Sequence, residues 1–152
     1  MKLTSPGSRT KALAVIGMVT AATAVLGAAG PAQAASAASY AAAVCGSGFS
    51  PDSNGVFSLD GGTIYVSYNG STDCAVLMKS AYVGTATNTW VFIEHANGAG
   101  GGYGGPDNNG NDDGWYTTYA GPVYVYAPHE CIEVGGGTVV GNDASWPSVM
   151  CG

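Results

Sequence analysis

Four cysteines constrain this chain more than any other feature: Cys45, Cys74, Cys131 and Cys151, all beyond residue 44. They are widely spaced, with no Cys-x-x-Cys, so neither a zinc site nor a redox motif fits them. In an exported chain an even set of this kind reads as two disulfides. Three pairings are open. The favoured one puts a clasp in each half, Cys45–Cys74 and Cys131–Cys151. Each clasp would close a loop of roughly 20–30 residues and stabilise the fold by about 3 kcal/mol, chiefly through the unfolded state.

Export is read from the amino terminus. Lys2, Arg9 and Lys11 precede an apolar stretch from Ala12 to Ala29, followed by Pro31 and the small-residue site Ala32-Gln33-Ala34. That order is a secretory signal over residues 1–34, with cleavage near Ala34/Ala35. A retained anchor is the competing reading, but the stretch is Ala- and Gly-rich and has no cationic stop-transfer flank. The run Ser8-Arg9-Thr10-Lys11 lacks an Arg-Arg pair, which favours general secretion over the twin-arginine route.

Cleavage leaves roughly 120 residues, enough for one small domain with a single core. That part holds all ten carboxylates, no arginine and one lysine, Lys79. Such a surface repels phosphate backbones and anionic lipid, so neither nucleic acid nor, after cleavage, a membrane is an expected partner. Without a forked guanidinium to grip phosphates, nucleotide-dependent chemistry is disfavoured, and no cofactor is implied.

Residues 35–44 are small and show no apolar stripe, so they read as a flexible amino terminus rather than a helix. Residues 45–152 use the vocabulary of strands and turns. Thr63–Tyr68 and Cys74–Ser80 flank Asn69-Gly70 and predict a hairpin, with Ile64, Val66 and Tyr68 on one face. Thr89–Glu94 is apolar on both faces, as a central strand is. Trp115–Tyr119 and Pro122–Ala127 predict a second hairpin about Ala120-Gly121, with Val123 and Val125 inward. Cys131–Val134 and Thr138–Val140 predict a third, about three glycines. The fold class expected is all-β, a small antiparallel sandwich or barrel of about seven to nine strands with two disulfides. Between Asn97 and Gly114 lies a Gly/Asn/Asp-rich loop, with eight glycines among eighteen residues.

Candidate chemistry is sparse. Asn109, Asn111, Asp113 and Gly114 match the opening of a calcium loop, but Ala120 stands where a bidentate glutamate belongs and the first ligand is Asn. No metal is assigned; Asn109, Asn111 and Asp113 remain the one metal candidate. His95 and His129 each neighbour a carboxylate, Glu94 and Glu130, but adjacent strand residues face opposite ways. Ser47 lacks a nucleophile elbow, and no spacing nominates two of the ten carboxylates as a glycosidase pair. No catalytic residue is assigned. All nine tyrosines lie beyond residue 34, and Tyr65, Tyr124 and Tyr126 occupy strand positions opposite valine or isoleucine. They define a candidate binding surface for sugar rings or another protein; the competing and favoured reading is that they complete the second face of a two-layer sandwich. Thr63–Tyr68 and Pro122–Ala127 also have the uncharged, alternating profile of strands that pair edge to edge.

The block Trp115-Tyr-Thr-Thr-Tyr-Ala-Gly-Pro-Val-Tyr-Val-Tyr-Ala-Pro-His-Glu-Cys131 resembles the spore-associated protein A family of filamentous actinobacteria. Further matching pieces are Tyr40 to Gly48, Thr63–Asn69 leading to Cys74, and Cys151-Gly152. The resemblance implies a small exported protein on the outside of spores or aerial filaments, with no established catalytic role, and it transfers no active-site residues. The glycine-rich insertion before Trp115 is longer than that pattern. The expected function is therefore a secreted structural or adhesive protein of the spore or cell surface. Its expected partners are surface components, polysaccharide or copies of itself. A carbohydrate- or protein-binding module using the tyrosine face is the first alternative, and a secreted hydrolase or toxin the second.

Overall fold

The computed structural model describes residues 31–96 and 110–152. It consists of one helix and eight strands: α1 (Pro31–Cys45), β1 (Ser50–Leu59), β2 (Gly62–Tyr68), β3 (Thr72–Lys79), β4 (Thr87–His95), β5 (Asn111–Tyr116), β6 (Tyr119–Tyr126), β7 (Ile132–Thr138) and β8 (Ala144–Val149). Two four-stranded antiparallel sheets, ordered β1-β2-β3-β6 and β5-β4-β7-β8, form a sandwich. Alternation sends Ile64, Val66, Ala75, Leu77, Val123 and Val125 of the first sheet into the middle. Val91, Ile93, Ile132 and Val134 of the second sheet meet them there. Both disulfides join the favoured partners, Cys45 to Cys74 and Cys131 to Cys151.

The segment expected to be non-helical is the helix α1. Its stripe exists but is built of small residues, which is why it gave no apolar period: Ala41, Ala42 and Cys45 are buried, with Ala37 and Ala38 against the same cluster. Alanine is the strongest helix former, and its size lets the helix lie close on the outer face of the first sheet. Gly46, with φ +110°, ends the helix; its N–H donates to the Ala42 carbonyl at 3.2 Å. The Cys45–Cys74 bridge then fixes this end to β3.

The β2–β3 hairpin forms as expected, with Tyr68 opposite Asp73 across the Asn69–Ser71 turn. Two other expected hairpins do not. Trp115–Tyr116 and Tyr119–Tyr126 belong to different sheets: β5 pairs with β4, and β6 with β3. The residues between them, Thr117 and Thr118, are β-branched and resist the positive φ that a two-residue hairpin demands, so the chain turns a corner between sheets. Nor do the three glycines form a turn. Gly135, Gly136 and Gly137 run through the middle of β7, which pairs with β4 on one side and β8 on the other. A Cβ on Gly135 would strike the Phe92 ring, and one on Gly136 would lie 2.7 Å from the Trp90 carbonyl and 2.8 Å from Leu77. The glycines are there because neighbouring groups approach this strand too closely for side chains. The Trp90 and Phe92 rings stack at 6.0 Å.

Thr63–Tyr68 is not an edge strand, since β2 lies between β1 and β3; β6, carrying Pro122–Tyr126, does lie at an edge.

Candidate functional site

A concave feature lies at one end of the sandwich, where β1, β2 and β3 present their ends to the turn after β6. A cleft of about 370 Å³, counting its open mouth, is lined by Asp52, Tyr68, Asp73, Ala127, His129 and Met150, with Gly152 alongside. The hairpin register places Tyr68 and Asp73 side by side on the core-facing side of the first sheet, at the end of the row begun by Ile64 and Val66. Asp52 comes from the irregular stretch of β1 between Pro51 and Val56, where the pairing register shifts. Its Oδ1 accepts the Asn54 N–H at 2.8 Å. The opposite wall is chain pinned by the Cys131–Cys151 bridge, with His129 two residues before one sulfur and Met150 next to the other. His129, Ser148 and Met150 all have positive φ (60°, 55° and 57°), so this wall holds backbone conformations that side chains rarely adopt.

The electrostatics of the cleft are unusual. Asp73 is 3% exposed, and none of the hydrogen bonds or ion pairs among the described residues involves its carboxyl group. Burial, reinforced by the nearby Asp52 charge, pushes its pKa up from 3.8 to about 7. The Tyr68 hydroxyl is also buried without a hydrogen-bond partner. A polar group withdrawn from water in this way costs free energy until something pairs with it.

At the same end of the sandwich, His95 Nδ1 lies 3.0 Å from Glu130 Oε2. Each histidine therefore has a carboxylate near it in sequence, yet the observed couple crosses between the two pairs. Glu94 stands opposite Glu133 on β7. Burial first, then the Glu133 charge, raises the pKa of Glu94.

The tyrosine surface is partly as expected. Tyr126 is 66% exposed, and Tyr124 is exposed beside it on the outer face of β6. The Tyr124 hydroxyl donates to the Cys45 carbonyl at 3.1 Å, and its ring leans on Phe49. Tyr65 does not belong to this surface. It is 7% exposed, buried under α1 with Ala41, Cys74 and Val76, because the outer face of the sheet there is roofed by the helix. Tyr40 of α1, packed edge-on against Tyr119, extends the exposed strip instead.

Of the calcium candidates, Asn109 lies outside the described residues. Asn111 and Asp113 sit on β5 as strand residues opposite Phe92 and Trp90, and Asp113 Oδ1 accepts the Asn88 amide at 2.9 Å. Among the described residues no group of three or more His, Cys, Asp or Glu side chains could hold a metal ion. Asp112 is used structurally: it accepts from the Tyr116 hydroxyl and, at 2.6 Å, from the Gly121 N–H. The bond to Asp112 is the main reason the Tyr116 pKa rises to about 12.

Over 105 residues, 68% of its length, the chain is 36% identical to spore-associated protein A of Streptomyces coelicolor. The chain belongs to the spore-associated protein A family. It spans 60% of the length of that family member. No family model matches the chain, and no solved structure does.

The Asp52–Tyr68–Asp73 group escaped sequence reasoning because its members come from three strands and share no spacing motif. Part of the signal was present, since the expected β2–β3 hairpin already sets Tyr68 opposite Asp73. An acid at the base of a hairpin, in phase with its buried face, is the pattern that could have found it.

Proposed function

We propose that this protein is exported and acts on the outside of the spore or cell as a structural or adhesive component, without catalytic activity. The observation that carries the reading is the likeness to a relative named for its association with spores. Two physical features support it. All four cysteines are consumed in disulfides, a state that persists in oxidising surroundings. Cutting after Ala34 would leave α1 with its buried residues Ala41, Ala42 and Cys45. Antibody labelling of intact spores tests the proposal: surface label supports it, and label appearing only after the spores are broken contradicts it.

A second reading, a module that binds polysaccharide or protein, is favoured by the exposed Tyr124 and Tyr126 on an edge strand. Aromatic faces in such a position suit stacking on sugar rings. Retention on a polysaccharide column, lost when both tyrosines become alanine, would select this reading. A hydrolase reading would use Asp52 and Asp73, the two carboxyl groups that line the cleft. It requires product formation that Asp73→Asn abolishes.

A further inference from the structure

We propose that the cleft between Asp52, Tyr68 and Asp73 is a binding site for a primary ammonium group, carried by a lysine side chain or an amino sugar. The site is incomplete as it stands. Asp73 is 3% exposed and its carboxyl group makes no hydrogen bond or ion pair among the described residues, Asp52 adds a second negative charge, and the Tyr68 hydroxyl is buried without a partner. Among the described residues no ion pair reaches Asp73, and His129, which lines the same cleft, makes none with it. Lys79 spends its ammonium on four acceptors elsewhere, and His95 is engaged with Glu130.

The shape of the site selects among cations. Three oxygen-bearing groups approach from three adjacent strands, which suits the three diverging N–H bonds of an ammonium ion. A guanidinium wants two acceptors side by side in its own plane. A metal ion is disfavoured because no group of three ligating side chains is assembled among the described residues. Ala127 and Met150 provide apolar wall for the carbon stem behind the charged head. The enclosed part of the cleft is about 100 Å³, room for an ammonium head and the start of its carbon stem, with the rest of the ligand in solvent.

Binding is coupled to protonation. The polar and titratable groups that line the cleft with Asp73 are Asp52 from β1, Tyr68 from β2, His129 from the turn after β6 and the backbone end at Gly152. In the empty cleft near pH 6, Asp73 carries a proton; the incoming ammonium takes its place, and the proton leaves to solvent. Affinity should therefore rise with pH until Asp73 is ionised without help. The proposal is independent of where the protein resides, so spore fractionation and ligand titration fail separately.

The test is calorimetric titration of the folded, oxidised protein with N-α-acetyl-lysine amide, with the neutral isostere N-α-acetyl-norleucine amide and calcium as controls. A glucosamine arm at about pH 6 separates the two sources. The expected result is saturable binding with Kd on the order of 1 mM, at least about tenfold tighter near pH 8 than near pH 5.5 for the lysine probe. Asp73→Asn should abolish it and Asp52→Asn weaken it about tenfold. Tyr68→Phe, which keeps the ring and therefore the fold, should weaken it several-fold. Tighter binding of glucosamine assigns the site to amino sugars, and tighter binding of the lysine probe assigns it to proteins. Equal binding of the norleucine probe, full binding by Asp73→Asn, saturation by calcium alone, or no heat from either amine overturns the proposal.

Discussion

The Lys79 ammonium donates to the Tyr116 carbonyl at 2.8 Å, so the single cationic side chain beyond Lys11 ties the end of β3 to the end of β5 across the two sheets. The same nitrogen donates to the Tyr82 and Thr85 carbonyls and, at 2.6 Å, to Thr87 Oγ1. Backbone bonds from Lys79 N to Thr118 O and from Gly84 N to Thr117 O close the same corner. Lys79 is 8% exposed. It is a fastener for the corner between sheets and leaves the surface almost purely acidic.

Replacing Lys79 with methionine keeps the stem and removes the donors, stranding several buried acceptors. Loss of such charge-assisted bonds should destabilise the fold by about 2–4 kcal/mol. Urea unfolding checks this, and a change below about 0.5 kcal/mol would show that the corner holds without the ammonium.

Asp73 gives the fold a pH dependence of definite sign. Its pKa is about 7 in the folded chain against an ordinary 3.8, so between those values the folded state holds more of its proton than the unfolded state does. The stability it contributes is fully present below about pH 4 and is lost as pH rises through about 7. Asp73→Asn should flatten this slope and stabilise the protein at about pH 8 by about 2–4 kcal/mol. Unfolding curves of both proteins near pH 5 and near pH 8 provide the comparison; parallel pH profiles would contradict the assignment.

Much of this organisation was legible in the sequence, and the failures have physical causes. The β2–β3 hairpin was readable because Asn69-Gly70 sits between two alternating runs, so local turn chemistry and burial agree. The clasps Cys45–Cys74 and Cys131–Cys151 followed from keeping each loop within its own half. Helix α1 was missed because its buried stripe is alanine, whose contact with the sheet is a tertiary fact. Once α1 is in place, Tyr65 must be buried. Glycine at 135–137 reads as a turn until Trp90 and Phe92 are known to lie against it. The acidic cleft depends on the C-terminal chain folding back against β1–β3, which no local signal announces.

The close packing against β7 predicts a sharp response to one methyl group. Gly136→Ala places a Cβ against the Trp90 carbonyl and Leu77, and overpacking of this kind should cost about 1–3 kcal/mol. Thermal unfolding of the variant measures it; an unchanged midpoint would mean that β4 and β7 can separate freely.

Removing the Cys45–Cys74 clasp with a pair of alanines should cost about 3 kcal/mol and release α1 before the sandwich opens. Hydrogen exchange reads the order directly. Early loss of protection over residues 36–45, with β2 and β3 still protected, is the expected pattern, and simultaneous loss would contradict it.

The exposed tyrosines should separate stability from attachment. Tyr126→Ala should leave the unfolding midpoint within about 0.5 kcal/mol, because its ring is mostly solvated. Tyr124→Phe should cost about 1 kcal/mol through loss of the bond to the Cys45 carbonyl. Adding purified variants back to spores and measuring the bound fraction tests attachment. A Tyr124/Tyr126 double alanine that binds as well as the unmodified protein would show that this strip takes no part in attachment.

The most direct test of an exported, disulfide-held surface protein is mass spectrometry of material washed from purified spores, alkylated before digestion without reduction. The expected result is a mature chain starting close to Ala35, with the peptides of Cys45 and Cys74 linked, those of Cys131 and Cys151 linked, and no alkylated thiol. Full-length protein confined to the cell interior with free cysteines would contradict it.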